Sequence, residues 1–201
     1  QATTTLKESL IEAIKELHPE HVFAVPEDKS KACAEFLNEY LAEEGSVFTT
    51  NYDLLLYWVL MRNKLDRTGD GFGREAEETE EWIEPEDREW SELRWGKNSD
   101  TQSIFYVHGA LHLFDTGIDV IKEEYTNEHV LLENVKARME RKEYPIFVTA
   151  GNGEEKLSHI RHNRYLSYCY DMLSTIEGSL VCFGFGFGPY DEHVIGAINK
   201  A

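Results

Sequence analysis

The chain reads as an α/β protein: a parallel sheet flanked by helices. Two observations lead there. Short β-prone runs at 47–50, 104–107, 146–148 and 179–183 alternate with longer stretches of helical periodicity. Parallel neighbours need crossover connections, usually helices, so this order favours parallel pairing. The length of 201 residues and the hydrophobic share of 41% suit one substantial core, and a single domain is expected.

Each element follows from its own pattern. At 6–17 the apolar positions Leu6, Leu10, Ile14 and Leu17 fall at spacings of four, four and three, which predicts an amphipathic helix. A second helix is expected at 31–43, where Ala34, Leu37, Tyr40 and Leu41 share a face and Gly45 supplies a stop. The run from Val47 to Thr50 is a strand ending in Asn51-Tyr52-Asp53, and the apolar segment at 54–61 reads as a buried helix. The stretch 67–102 carries Gly69, Gly71 and Gly73 without sustained periodicity and is expected to be an irregular insertion. Its acidic run between Glu75 and Glu92 is broken by Trp82, Ile83, Pro85 and Trp90, consistent with a solvated excursion pinned by a few apolar anchors; a docking surface for a basic partner is the alternative.

Ile104 to Val107 is the next strand, closed by His108-Gly109, and 123–141 is mainly helical. Pro145 introduces the strand Ile146-Phe147-Val148, which runs out at Gly151 and Gly153. Leu166, Cys169, Tyr170 and Leu173 share a face of a helix at 165–176, ended by Gly178. Residues 179–183 form the last expected strand, leading into Gly184-Phe185-Gly186-Phe187-Gly188 and a closing helix at 193–199.

A formal net charge of −18 with no local basic cluster argues against direct binding of nucleic acid. Cys33, Cys169 and Cys182 lie far apart without a CxxC pair, which points to a reducing compartment, and Cys182 is expected to pack in its apolar run as a small hydrophobe. No stretch approaches the ~20 apolar residues of a membrane span, and the start lacks the order of a signal peptide. A cytoplasmic location is expected. The chain begins with Gln1, so the natural start is expected to lie upstream.

Asn51, His108 and Gly184 each follow an expected strand, which in a parallel sheet places them at one edge. Open α/β sheets bind ligands at that carboxyl edge, and glycines there let the backbone approach a phosphate or ribose. Other roles fit the same residues. Asn51 and Asp53 could stabilise a turn, His108 could hydrogen-bond within a core, Asp191 could cap a helix, and the glycines could serve tight packing. His108 and His112 are four apart and His159 and His162 three apart, but His108 leaves a strand through Gly109, so no metal site is expected.

These segments resemble the sirtuin-like superfamily. Thr49-Thr50-Asn51-Tyr52-Asp53 is similar to its Thr-x-Asn-x-Asp motif, Val107-His108-Gly109 to its catalytic His-Gly, and Gly184-Phe185-Gly186 through Asp191 and His193 to its later glycine-rich nucleotide motif. The likeness runs from about Val47 to the end, and is closest to the bacterial branch without a zinc ribbon, including NAD-cleaving modules of antiphage defence. It implies a Rossmann-like sheet with Asn51 and His108 as catalytic residues. It also implies NAD contacts from Thr49, Thr50, Asp53, Gly109, Gly184, Phe185, Gly186 and Asp191. The implied activity is hydrolysis of NAD to nicotinamide and ADP-ribose, in a homo-oligomer or with a defence-system partner protein. A noncatalytic module that binds NAD or ADP-ribose and a protein ADP-ribosyltransferase are the alternatives. Such proteins carry an early strand and phosphate loop that residues 1–46 do not supply, so an N-terminally truncated member is expected, with a divergent member of incomplete pocket as the alternative.

Overall fold

The computed structural model describes residues 9, 12, 16, 18–75, 91–124, 131–148 and 151–201. In chain order its elements are α1 (Glu27–Leu41), β1 (Val47–Thr49), α2 (Leu55–Asn63), β2 (Phe72–Gly73), β3 (Leu93–Trp95), β4 (Ile104–Tyr106), β5 (Gly109–Asp115), β6 (Val120–Lys122), α3 (Leu131–Glu140), β7 (Pro145–Phe147), α4 (Gly153–His162), α5 (Arg164–Leu173) and α6 (Glu192–Ile198). Single 3-10 turns lie at Val22–Ala24, Ser99–Thr101 and Pro189–Asp191. The fold class is α/β.

The helical faces read from spacing pack as expected. Ala34, Leu37 and Leu41 of α1, and Tyr165, Leu166, Cys169, Tyr170 and Leu173 of α5, are buried. They meet a common core with Val59 and Leu60 of α2 and with β4, whose Ile104, Phe105 and Tyr106 are all buried. Burial of successive residues means that both faces of β4 are covered, the condition under which a parallel strand reads as a continuous apolar run. Phe48 stacks on Phe105 across the ladder at 4.6 Å and 11°. Each fully buried Leu, Ile or Phe contributes ~1.5–3 kcal/mol, so this seam is a principal source of stability.

The sheet divides into two parts. β1 and β4 form a parallel pair, and β2-β3-β6-β5-β7 form an antiparallel sheet in that order. Backbone bonds join them: the Leu111 N–H donates to the Tyr52 carbonyl at 2.8 Å, and the Val148 N–H to the His108 carbonyl at 2.9 Å.

Several expectations change. The stretch 67–102 carries β2, β3 and a 3-10 turn, of which β2 and β3 join the antiparallel sheet; strands of two and three residues are too short to show a period. The run at 146–148 does become a strand, but β7 lies antiparallel to β5. Residues 179–183 join no ladder among the described residues, and Leu180, Val181 and Phe183 are exposed. A β-prone run becomes a strand only where a neighbouring edge accepts its hydrogen bonds, a condition that local pattern does not contain. Cys182, expected to pack as a hydrophobe, is exposed for the same reason.

Of the helix expected at 6–17, Ser9, Glu12 and Glu16 are helical and the rest lies outside the described residues, as do residues 76–90 of the acidic run and 125–130 of the segment before α3. Among the described residues no helix is long and apolar enough to cross a membrane.

Candidate functional site

The register of the parallel pair sets the site. Val47, Phe48 and Thr49 pair with Ile104, Phe105 and Tyr106, and the Val107 N–H donates to the Thr49 carbonyl at 2.9 Å. Asn51 and His108 therefore leave adjacent strands at the same level, each two residues past the registered pair Thr49 and Tyr106.

Thr49 Oγ1 accepts from the Asn51 N–H at 3.1 Å, which fixes the backbone as it leaves β1; Asn51 itself is exposed. Asp53 Oδ1 accepts from the Leu55 N–H at 2.8 Å, an Asx turn into α2, so the local turn-forming role considered for Asp53 is present. Thr50 follows Thr49 at the end of β1, and its backbone favours the charged form of the His108 ring. Gly109 has φ +80°, and a Cβ there would lie 2.0 Å from the Ile146 carbonyl oxygen. Only glycine fits between β5 and β7 at this point, which gives the His-Gly pair a structural reason.

His108 is 5% exposed and meets a residue that spacing did not single out as catalytic. Its Nε2 lies 2.8 Å from Nε2 of His193 on α6, with the ring centres 5.0 Å apart and the ring planes inclined by 17°. His193 is 4% exposed, its carbonyl accepts from the Tyr170 hydroxyl at 3.0 Å, and its Nδ1 is buried without a hydrogen-bond partner among the described residues. Close packing brings α6 here: a Cβ on Gly153 would lie 3.0 Å from Glu192 Cβ and 3.3 Å from the His193 nitrogen.

Burial lowers the His108 pKa to about 4, reinforced by His193 and the Lys156 ammonium and opposed by Asp191 and the Thr50 hydrogen bond. Burial, then Lys156, also lowers that of His193, against Asp191. Both imidazoles are therefore neutral at pH 7.

Lys156 and Asp191 complete the cluster, with Nζ to Oδ1 at 3.2 Å. Asp191 occupies the N-cap position of α6 but makes no side-chain cap bond; its carboxylate faces the lysine instead. The start of α4 is closed by its own capping box between Asn152 and Glu155, so those backbone donors are already engaged.

A cavity of about 830 Å³ opens on the other side of β1, lined by Thr49, Asn51 and Asp53 together with Phe36, Tyr40 and Phe183. Among the described residues its charged lining consists of Glu39, Glu43, Glu44, Asp53 and Glu177, with no lysine, arginine or histidine. The volume suits a nucleotide-sized ligand, whereas the charge does not favour a pyrophosphate. Gly184, at φ +67°, and Gly186 line neither this cavity nor the histidine pair; Phe185 packs partly against the core and meets Phe187 edge-on at 4.8 Å.

The fold thus places Thr49, Thr50, Asn51 and Asp53 at the strand end next to that of His108 and Gly109, but Thr49, Asn51 and Asp53 line the cavity whereas His108 and Gly109 do not; Asp191 acts on His108 together with Lys156. His112 takes no part: it is fully buried against Tyr57, and neither ring nitrogen has a hydrogen-bond partner among the described residues. Among those residues no three His, Cys, Asp or Glu side chains group to hold a metal ion. His193 and Lys156 are the members that spacing alone missed. His193 entered only at the end of the glycine-rich motif and as the start of the closing helix, without a role of its own, and nothing local marks Lys156.

No curated protein and no solved structure matches the chain. The family model described as Domain of unknown function (DUF4917) matches residues 1–201, and the chain belongs to that family.

Proposed function

We propose that this protein cleaves the N-glycosidic bond of NAD, releasing nicotinamide and ADP-ribose. The observation that carries this reading is the placement of Asn51 and His108 at the same level on the adjacent parallel strands β1 and β4, with Asn51 opening onto a cavity of nucleotide size. An asparagine amide offers both donor and acceptor, suited to orienting a ribose hydroxyl or the attacking water. A neutral imidazole can take a proton.

In the balanced step the C–N electron pair passes to the pyridinium nitrogen and nicotinamide leaves neutral. A water oxygen bonds to the ribose carbon, and its proton goes to His108 and then to solvent. The proposed setting is bacterial and cytoplasmic, as an antiphage effector acting in a homo-oligomer or with a partner protein.

A second reading has its own support. His108 is buried against His193 and does not line the cavity beside Asn51, which suits a noncatalytic module that binds NAD or ADP-ribose without turnover. Nicotinamide release from NAD, followed alongside calorimetric binding of NAD and of ADP-ribose, separates the two. Release lost in His108→Ala and Asn51→Ala supports hydrolysis; saturable binding without release supports the module; label transferred to protein would instead identify an ADP-ribosyltransferase.

A further inference from the structure

The bond between His108 and His193 has a direction. Two neutral imidazoles share one hydrogen between facing nitrogens, so one Nε2 carries the proton and the other accepts it. His193 Nδ1 is buried without a partner among the described residues, and a buried N–H left unpaired is the rarer orphan, so Nδ1 is the bare nitrogen of that ring. The proton of His193 then sits on Nε2, which faces Nε2 of His108 at 2.8 Å. In neutral His108, Nε2 is therefore the acceptor and Nδ1 carries the ring proton.

The Nε2 lone pair of His108 is thereby occupied by a donor, and its Nδ1 carries the ring proton. A base in that state has no free lone pair for a substrate. The donor sits on α6, a helix of seven residues reached through the exposed stretch that includes Phe187 and Tyr190. A Cβ at Gly184, Gly186 or Gly188 would meet nothing within 4 Å, so the stretch that leads into α6 has open space around it, while α6 itself packs through His193, Val194 and Ala197.

We propose that His193 is a positioning residue that caps the Nε2 lone pair of His108, and that α6 must withdraw it before His108 can take a proton; the catalytic half rests on the NAD-cleaving reading above. The device holds the base in one tautomer and keeps it idle until the α6 side of the site is displaced.

Nitrogen-15 spectra of histidine-labelled 201-residue protein test it without any substrate. His108 is expected to show a protonated Nδ1 and an unprotonated Nε2, His193 the reverse, with a through-bond coupling between the two Nε2 atoms. A protonated His108 Nε2, or no coupling, overturns the proposal.

Modification by diethyl pyrocarbonate adds a chemical readout. The imidazole lone pair bonds to the carbonyl carbon and ethyl carbonate leaves, giving an N-ethoxycarbonyl histidine that mass spectrometry locates. Modification of His108 should be slow in the wild type and rise roughly tenfold in His193→Ala, the scale of one lost hydrogen bond. It should stay slow in His193→Gln, whose amide still donates. Equal rates in all three overturn the cap. Where His193→Ala does not fold, the wild-type spectrum and the Gln variant decide.

Nicotinamide release then separates the two proposals. A rise in His193→Ala supports masking, and a fall overturns it. No release from any variant, with the spectra as expected, removes the NAD reading and leaves the cap standing.

Discussion

A Cβ on Gly109 would lie 2.0 Å from the carbonyl oxygen of Ile146, so β5 and β7 approach through the one position in the His-Gly pair that has no side chain. The backbone there is also left-handed, at φ +80°. Gly109→Ala should therefore lower stability by about 3 kcal/mol, combining left-handed strain of ~1–2 kcal/mol with displacement of β7. Urea denaturation reads this directly, and an unchanged midpoint would contradict the packing.

Asn51 is exposed, and its neighbour Thr49 is held through the Asn51 backbone. Asn51→Ala should leave the denaturation midpoint within ~0.5 kcal/mol of wild type. Under the proposed chemistry it should cost roughly 100-fold or more in nicotinamide release, the scale of losing one oriented polar group in a site. Loss of stability in step with activity would move Asn51 to a structural role.

Acid should weaken the fold through its buried histidines. The His108 pKa falls to about 4, and that of fully buried His112 lies well below the ordinary 6.5, through burial first and the nearby Lys122 cation second. The groups facing His108 are His193, Lys156, Asp191 and the Thr50 backbone. Unfolded histidines bind protons below about pH 6.5 while the folded ones do not, so this stability is fully present above that pH. It is lost as pH falls through the folded values, on the order of 3 kcal/mol for His108. His112→Phe should flatten the fall in the urea midpoint between pH 6.5 and 4, since it removes a buried group whose nitrogens have no hydrogen-bond partners among the described residues. Parallel pH curves for wild type and variant would refute this.

Lys122 Nζ meets Asp70 Oδ2 at 2.5 Å, with side chains only 10% and 12% exposed, and lies over the rings of Tyr57 and Phe72 at 5.5 and 5.3 Å. Asp70→Ala leaves a buried ammonium without its carboxylate and should cost ~3–5 kcal/mol, whereas Asp70→Ala with Lys122→Met should recover most of that loss. Additive losses in the double variant would show that the pair is not coupled.

Among the described residues β1 pairs only with β4, and Leu180, Val181 and Phe183 stand exposed across the cavity beside it. An open edge next to apolar side chains invites association. Val181→Lys should reduce self-association in light scattering while leaving circular dichroism unchanged; association equal to wild type would clear this surface.

Much of the site was legible because it depends on strand order. Asn51 and His108 could be placed at a common edge from two β-prone runs, each followed by polar residues, and β1 and β4 indeed pair in parallel. The turn at Asp53 and the glycine at 109 were marked by residue type alone. The expected strand at 179–183 went astray because its apolar alternation says nothing about whether an edge is present to bond it. His193 was named without a role and Lys156 went unmarked because each reaches His108 or Asp191 from another helix, across separations of 85 residues for the histidines and 35 for the ion pair.

Local chemistry alone settled the helices α1, α2 and α5, the β1 and β4 runs and the α/β class, since side-chain periodicity and turn residues act between near neighbours. Tertiary packing decided which strands pair antiparallel, which run stays unpaired, and that Nε2 of His108 faces an imidazole. Hydrogen-bond direction and burial are set by atoms distant in the chain, and no local pattern encodes them.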